Sequence, residues 1–140
     1  MGLSLAHDRS HLARAVLEAA AYALRHVATP ILAAGVRIDE VRVSGGTAQS
    51  ETWNQIKADV LNIPVAVPTV RETALLGAAI LAATALGWYP DMATAIRSMV
   101  HIDHTLEPNQ SVRGTYDAGF QAYVDLWPAI APIIRELHPE

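Results

Sequence analysis

The residues best suited to chemistry in this chain of 140 residues are Gly45 and Gly46, followed by Thr47, Gln49 and Ser50. Two successive glycines let a phosphate or nucleotide approach the backbone, because no Cβ holds it off. A helix starting just beyond Ser50 would turn unpaired N–H groups and the positive end of its dipole toward an anion. The same diglycine also suits a purely steric strand-to-helix turn, and Ser50 equally suits a plain helix N-cap. Other candidates are weaker. His7-Asp8-Arg9-Ser10-His11 has two histidines four apart but lacks the glutamate of the His-Glu-x-x-His zinc pattern. His101-Ile102-Asp103-His104 gathers ligand types without an ordered third and fourth partner, which favours adventitious metal binding over a zinc site. Asp59 is expected to face solvent or to pair along its helix, and Glu72 is assigned no role. No catalytic residue and no metal ligand is assigned in this chain.

The diglycine must be positioned by its neighbours. Val41 to Ser44 is a short strand candidate, and Glu51 to Leu61 carries Trp53, Ile56, Val60 and Leu61 on one helical face. Asn62 suits the left-handed residue that closes such a helix. Val65 to Val67 forms a second strand between Pro64 and Pro68, expected at a sheet edge or very short because proline donates nothing to a ladder. Strand, helix and strand in this order predict a right-handed parallel crossover. Two strands alone make no stable sheet, so the free edge of the first is expected to need a cover.

Four further helices frame this unit. One runs from Arg9 to about Ala34 with Asp8 as N-cap, Arg14 and Glu18 at i,i+4, Pro30 bending or ending it, and Gly35 as its stop. Thr73 to Leu86 is apolar apart from Gly77 and Thr84 and is expected to be buried on all sides; it is shorter than the ~20 residues a bilayer span requires. Pro90 suits the first turn of a helix bearing Met92, Ile96, Met99 and Val100. His101 to Gln110 is expected to be a loop. A last helix from about Val112 spaces Tyr116, Phe120, Tyr123 and Trp127 for packing, then meets Pro128 and Pro132.

Composition bounds the function. A hydrophobic content of 51% with 17% charged residues describes a folded globular unit, read here as a single domain over 1–140. The net charge of −4, with Lys57 the only lysine, argues against nucleic acid as a partner. The absence of cysteine excludes disulfides and thiol catalysis and fits a reducing cytoplasm. No basic segment followed by an apolar core opens the chain, so no secretory leader and no membrane attachment is expected.

The run from Ser44 to Leu61 resembles the adenosine-binding segment of the FGGY carbohydrate kinases. Asp8 to Tyr22 is similar to the helix preceding it in that family, Pro64 to Pro68 to its next strand, and Glu72 to Ala82 to its Gly-Ala-Ala helix. The blocks keep their order from roughly Gly2 to Trp127. The resemblance implies a helix-rich α/β fold with a small parallel sheet, part of the ribonuclease-H-like domain of actin-like ATPases. It implies use of Mg-ATP to phosphorylate a sugar, with a pentulose such as xylulose favoured. It places nucleotide contacts at Gly45, Gly46, Thr47, Gln49 and Ser50, and Gly77-Ala78-Ala79 close behind them. Relatives often carry asparagine near Ser50, so serine there is a shorter partner for adenine. The family's catalytic base, phosphate loops and Mg2+ ligands fall outside this chain, which alone is expected to be inactive. The expected partners are the remaining N-terminal kinase portion or another copy of the chain, as a homo-oligomer. The alternative reading is a truncated, non-catalytic paralogue serving as a binding or oligomerisation module.

Overall fold

The computed structural model describes residues 2–137; the single-domain reading also takes in Met1 and 138–140, which lie outside the described residues. Helix α1 spans Arg9–Ala33. The Asp8 carboxylate accepts from the Ser10 and His11 amides, and these bonds with the Ser10 and His11 side chains lower its pKa to about 2. Pro30 neither breaks nor ends the helix, because only one more turn follows it. The chain leaves α1 through Gly35 at φ 83°, with Gly35 N–H donating to Leu32 O and Val36 N–H to Ile31 O. That pair of bonds is a Schellman closure, which requires a left-handed residue where Gly35 stands.

Strand β1 (Val41–Arg42) leads through a 3-10 turn (Gly46–Gln49) to α2 (Glu51–Leu61), and Asn62 at φ 55° closes that helix. Strand β2 (Val65–Pro68) pairs parallel with β1, Val41 opposite Val65, as the crossover predicts. The sheet has a third strand. Ile102–Leu106, expected as loop, forms β3, antiparallel to β2 with His104 opposite Val67. Strand β2 is therefore central rather than at the edge, and β1 has one free side. Pro64 precedes β2 and Pro68 ends it, so neither withholds a donor from the middle of the ladder.

Val41, Val43, Val65 and Val67 pack with Ala48 and Ala58, sealing α2 to the sheet. On the opposite side of α2, Ile56 and Val60 meet Ala21 of α1 and Tyr116 of α5 (Arg113–Leu137). Helix α2 is thus sandwiched, with seven of its residues buried. Helix α5 continues through Pro128 and Pro132 instead of ending there, giving up two backbone donors within the helix. Helix α3 (Thr73–Ala85) packs on α4 (Met92–Met99), which is capped by the Asp91 carboxylate; Pro90 precedes that cap and is not in the helix. The expectation that α3 is buried all round fails: only Ile80 and Ala83 are buried, while Leu75 is 70% and Leu81 57% exposed. Among the described residues, Leu75 and Leu81 are left uncovered. No helix among the described residues is long and apolar enough to cross a membrane.

The contact between α1 and α5 depends on one missing side chain. A Cβ at Gly119 would collide with the Tyr22 hydroxyl and crowd its ring carbon, and Tyr22 is held among Tyr116, Phe120 and Tyr123. Gly119→Ala is therefore expected to destabilise the chain by about 1–3 kcal/mol despite the better helix propensity of alanine. Adding Tyr22→Phe removes the colliding oxygen and should recover part of that loss in denaturant unfolding. Equal stability of Gly119→Ala and the wild type would show that Tyr22 moves aside freely.

Candidate functional site

The diglycine turn is built from both ends. Its first residue, Gly45, sits at φ 66°, ψ −160°, a conformation open essentially to glycine alone. Its N–H donates to Arg71 O at 2.9 Å, tying the turn to the segment after β2. The Thr47 hydroxyl donates to Ser44 O at 3.1 Å, and Ala48 N–H to Gly45 O. The Ala48 methyl is buried in the valine cluster. Ser50 N-caps α2, its hydroxyl accepting from the Trp53 amide at 3.3 Å.

These anchors leave a defined open face. Gly46, Thr47 and Gln49 are exposed, and an added Cβ on Gly46 would meet nothing within 4 Å. As the first two residues of the 3-10 turn, Gly46 and Thr47 have N–H groups with no carbonyl to receive them inside it. The positive φ falls at Gly45 rather than Gly46, so the two glycines answer different demands: one shapes the turn and the other keeps it open. Gly45→Ala is expected to cost about 1–3 kcal/mol of stability from backbone strain, whereas Gly46→Ala should be near neutral. Thermal melts of the two variants separate these roles, and equal losses would contradict the division.

A groove of about 330 Å³ lies beside the turn, lined by Arg42 and Ser44 on one side and by Thr73, Leu76 and Gly77 of the α3 region on the other. Gly77 does not serve tight packing here, since a Cβ on it would also meet open space. Asp59 is not solvent-facing. It is 8% exposed, and its Oδ1 accepts from Gln55 Nε2 and from the Asn109 N–H, both at 2.8 Å. Gln55 Nε2 also reaches Glu107 O at 2.9 Å, so this side of α2 is pinned to the chain leaving β3.

Sequence reasoning overlooked two buried polar residues of α2, Asn54 and Lys57. Asn54 Nδ2 donates to Ala48 O in the turn at 3.1 Å, and Lys57 Nζ donates to Asn54 Oδ1 at 3.1 Å. The ammonium also lies 4.4 Å from the Trp53 ring centroid, and burial holds its pKa below that of an ordinary lysine. Their spacing of three on one helix was the available signal, but both are residue types usually found in solvent.

A parallel crossover with an open glycine turn between its first strand and helix recurs in several nucleotide-binding α/β folds. A family model described as the FGGY family of carbohydrate kinases, C-terminal domain, matches residues 1–86. The chain belongs to that family. The xylulose kinase of Staphylococcus epidermidis is 28% identical over 137 residues, covering 98% of this chain and 28% of that protein. Glycerol kinase 3 of Streptomyces avermitilis is 44% identical over 92 residues, 65% of this chain and 18% of that one. The ligand-bound xylulose kinase structure from Lactobacillus acidophilus superposes with a TM-score of 0.82 at 26% identity, covering 94% of this chain and 26% of that chain. The chain thus spans about a quarter of the length of the xylulose kinases it matches.

Proposed function

We propose that these 140 residues act as one domain forming the nucleotide-binding wall of a carbohydrate kinase, which transfers the γ-phosphoryl group of ATP to a sugar hydroxyl. The observation that carries the reading is the diglycine turn, with its two free N–H groups and the open space above Gly46. Residues Gly45, Gly46, Thr47, Gln49 and Ser50 would hold the nucleotide, with Gly46 and Thr47 N–H donating to phosphate or ribose oxygens. The adjoining groove offers apolar walls at Leu76 and Gly77 for a base, and hydroxyls at Ser44 and Thr73 for its polar edges. When bound, Mg-ATP supplies the transferable phosphoryl group. Its Mg2+ ligands and the base acting on the sugar hydroxyl are assigned to the rest of a longer kinase. Xylulose is the favoured acceptor, supported by the xylulose kinases among both the sequence and structural relatives.

Phosphoryl transfer depends mainly on positioning and charge stabilisation from both sides of a cleft. One wall alone is therefore inactive. In a coupled assay, the purified 140-residue chain is expected to release no ADP in response to xylulose, glycerol or gluconate, whereas the product of the full reading frame should respond to xylulose. Sugar-dependent ADP release by the 140-residue chain itself would refute this assignment.

The exposed apolar residues Leu75, Leu81, Leu86 and Trp88 favour a surface that something covers. In the kinase reading, the remaining kinase portion covers it. The second reading, a non-catalytic module, places another copy of this chain there. Size measurement of the isolated chain discriminates them, since a stable monomer would weaken the second.

A further inference from the structure

Besides its backbone bonds, the diglycine turn is held by a side chain of α2. Its 3-10 geometry leaves the carbonyl of Ala48 directed at α2, and the side chain receiving it is Asn54, only 1% exposed. A carboxamide buried this deeply has to satisfy both of its ends. Its Nδ2 reaches Ala48 O, and its Oδ1 accepts from Lys57 Nζ. Lys57 is fixed in turn. Its stem is buried, its ammonium rests over the Trp53 ring, and the Trp53 indole N–H donates to Leu17 O of α1 at 3.3 Å. A continuous line of contacts therefore runs from the α1 backbone through Trp53, Lys57 and Asn54 to the carbonyl of the turn.

The type of each residue matters. A carboxamide has a donor and an acceptor at the same end of one short side chain, so it can bond a carbonyl while being held by a cation. An aspartate in its place could be held by Lys57 but could not donate to Ala48 O. No carboxylate meets Lys57 Nζ among the described residues, so the ammonium directs its charge at Asn54 and at the aromatic face. With the Asn54 oxygen occupied by the ammonium, its amino group has one remaining target, the turn.

We propose that Asn54, locked by Lys57 against Trp53, is the positioning residue that fixes the diglycine turn with the Gly46 and Thr47 N–H groups directed outward; this rests on the reading of that turn as the nucleotide contact. Asn54 itself touches no ligand. Its effect on nucleotide binding arises because the free turn is already in the shape that the ligand requires.

Hydrogen exchange tests the proposal on the chain as it stands. Asn54→Asp keeps the size of the side chain and gives Lys57 a charged partner, but removes the donor to Ala48 O. Exchange at the hydrogen-bonded amides of the turn, Gly45, Ala48 and Ser50, is expected to accelerate by roughly tenfold, in keeping with the loss of one buried bond, while exchange in α1 and β2 stays within about twofold of wild type. Lys57→Met, which frees Asn54 without removing it, should accelerate the same amides and no others, and serves alone if Asn54→Asp fails to fold. Unchanged exchange at Gly45, Ala48 and Ser50, or an equal acceleration throughout the chain, would overturn the proposal. In Asn54→Asp the Kd for Mg-ADP should rise by about threefold to tenfold, the same bond read through binding. If wild-type Gly46 and Thr47 amides ignore Mg-ADP while the exchange pattern holds, the nucleotide reading fails and the positioning role stands. If wild type binds and Asn54→Asp binds equally well, the coupling between them is overturned.

Discussion

In the longer kinase proposed for this chain, replacing Gly46 with valine is expected to raise KM for ATP by about tenfold to a hundredfold, a loss of roughly 1.4–2.8 kcal/mol of binding. The KM for sugar should stay within about twofold. An added Cβ on Gly46 meets no protein atom within 4 Å, so the isopropyl group does not disturb packing, and Gly46 is not among the glycines with positive φ. The space it fills is the approach to the free Gly46 and Thr47 N–H groups, where a phosphate would otherwise lie. Loss of affinity without loss of fold is the expected signature, so melting temperature must be recorded beside KM. A folded variant with unchanged KM for ATP would reduce the diglycine to a steric turn.

The largest stability effect outside the apolar core is expected at Asp59. Asp59→Ala leaves the Asn109 N–H without its acceptor and frees Gln55, which also bridges to Glu107 O. Loss of two hydrogen bonds to a buried carboxylate should cost about 2–3 kcal/mol, lowering Tm by roughly 5–15 °C for a chain of this size. Asp59→Asn retains an acceptor oxygen and should lose less than half as much. Equal stability of Asp59→Ala and wild type would mean that the link between α2 and the segment after β3 contributes nothing. The sequence leaves this carboxylate facing solvent or paired along its helix; it does pair with Gln55 one turn back, and the chain leaving β3 also buries it.

That difference shows which features a single sequence carries. Local conformational demands were readable: Gly35 and Asn62 close helices because few residues accept their backbone angles, and Ser50 and Asp8 cap helices because their oxygens reach free amides. The parallel pairing of β1 with β2 followed from the strand–helix–strand order between them, while the register of Val41 opposite Val65 came from the structure. Strand β3 was missed although Ile102, His104 and Leu106 alternate with Asp103 and Thr105, because two histidines around an aspartate suggested a ligand loop more strongly than period-two burial. Asn54 and Lys57 were missed for a related reason. Their burial follows from packing on both sides of α2, whereas the hydrophobic pattern of the helix described only the stripe of Trp53, Ile56, Val60 and Leu61. The exposed flank of α3 is the converse case: its composition records a demand for cover that the other described residues do not meet. The sequence singled out the diglycine as a turn before a helix, while the split of roles between Gly45 and Gly46 required backbone angles.

The measurement that bears most directly on the nucleotide-wall assignment is a titration of the isotope-labelled chain with Mg-ADP, followed through backbone amide shifts. The half-site should bind weakly and in fast exchange, with Gly46 and Thr47 moving furthest, Gln49 and Ser50 following, and the amides around the apolar cavity of His26, Tyr123 and Trp127 remaining still. Shifts confined to that cavity, or none at Gly46 and Thr47 while the nucleotide binds elsewhere, would contradict the assignment of the diglycine turn as the nucleotide contact.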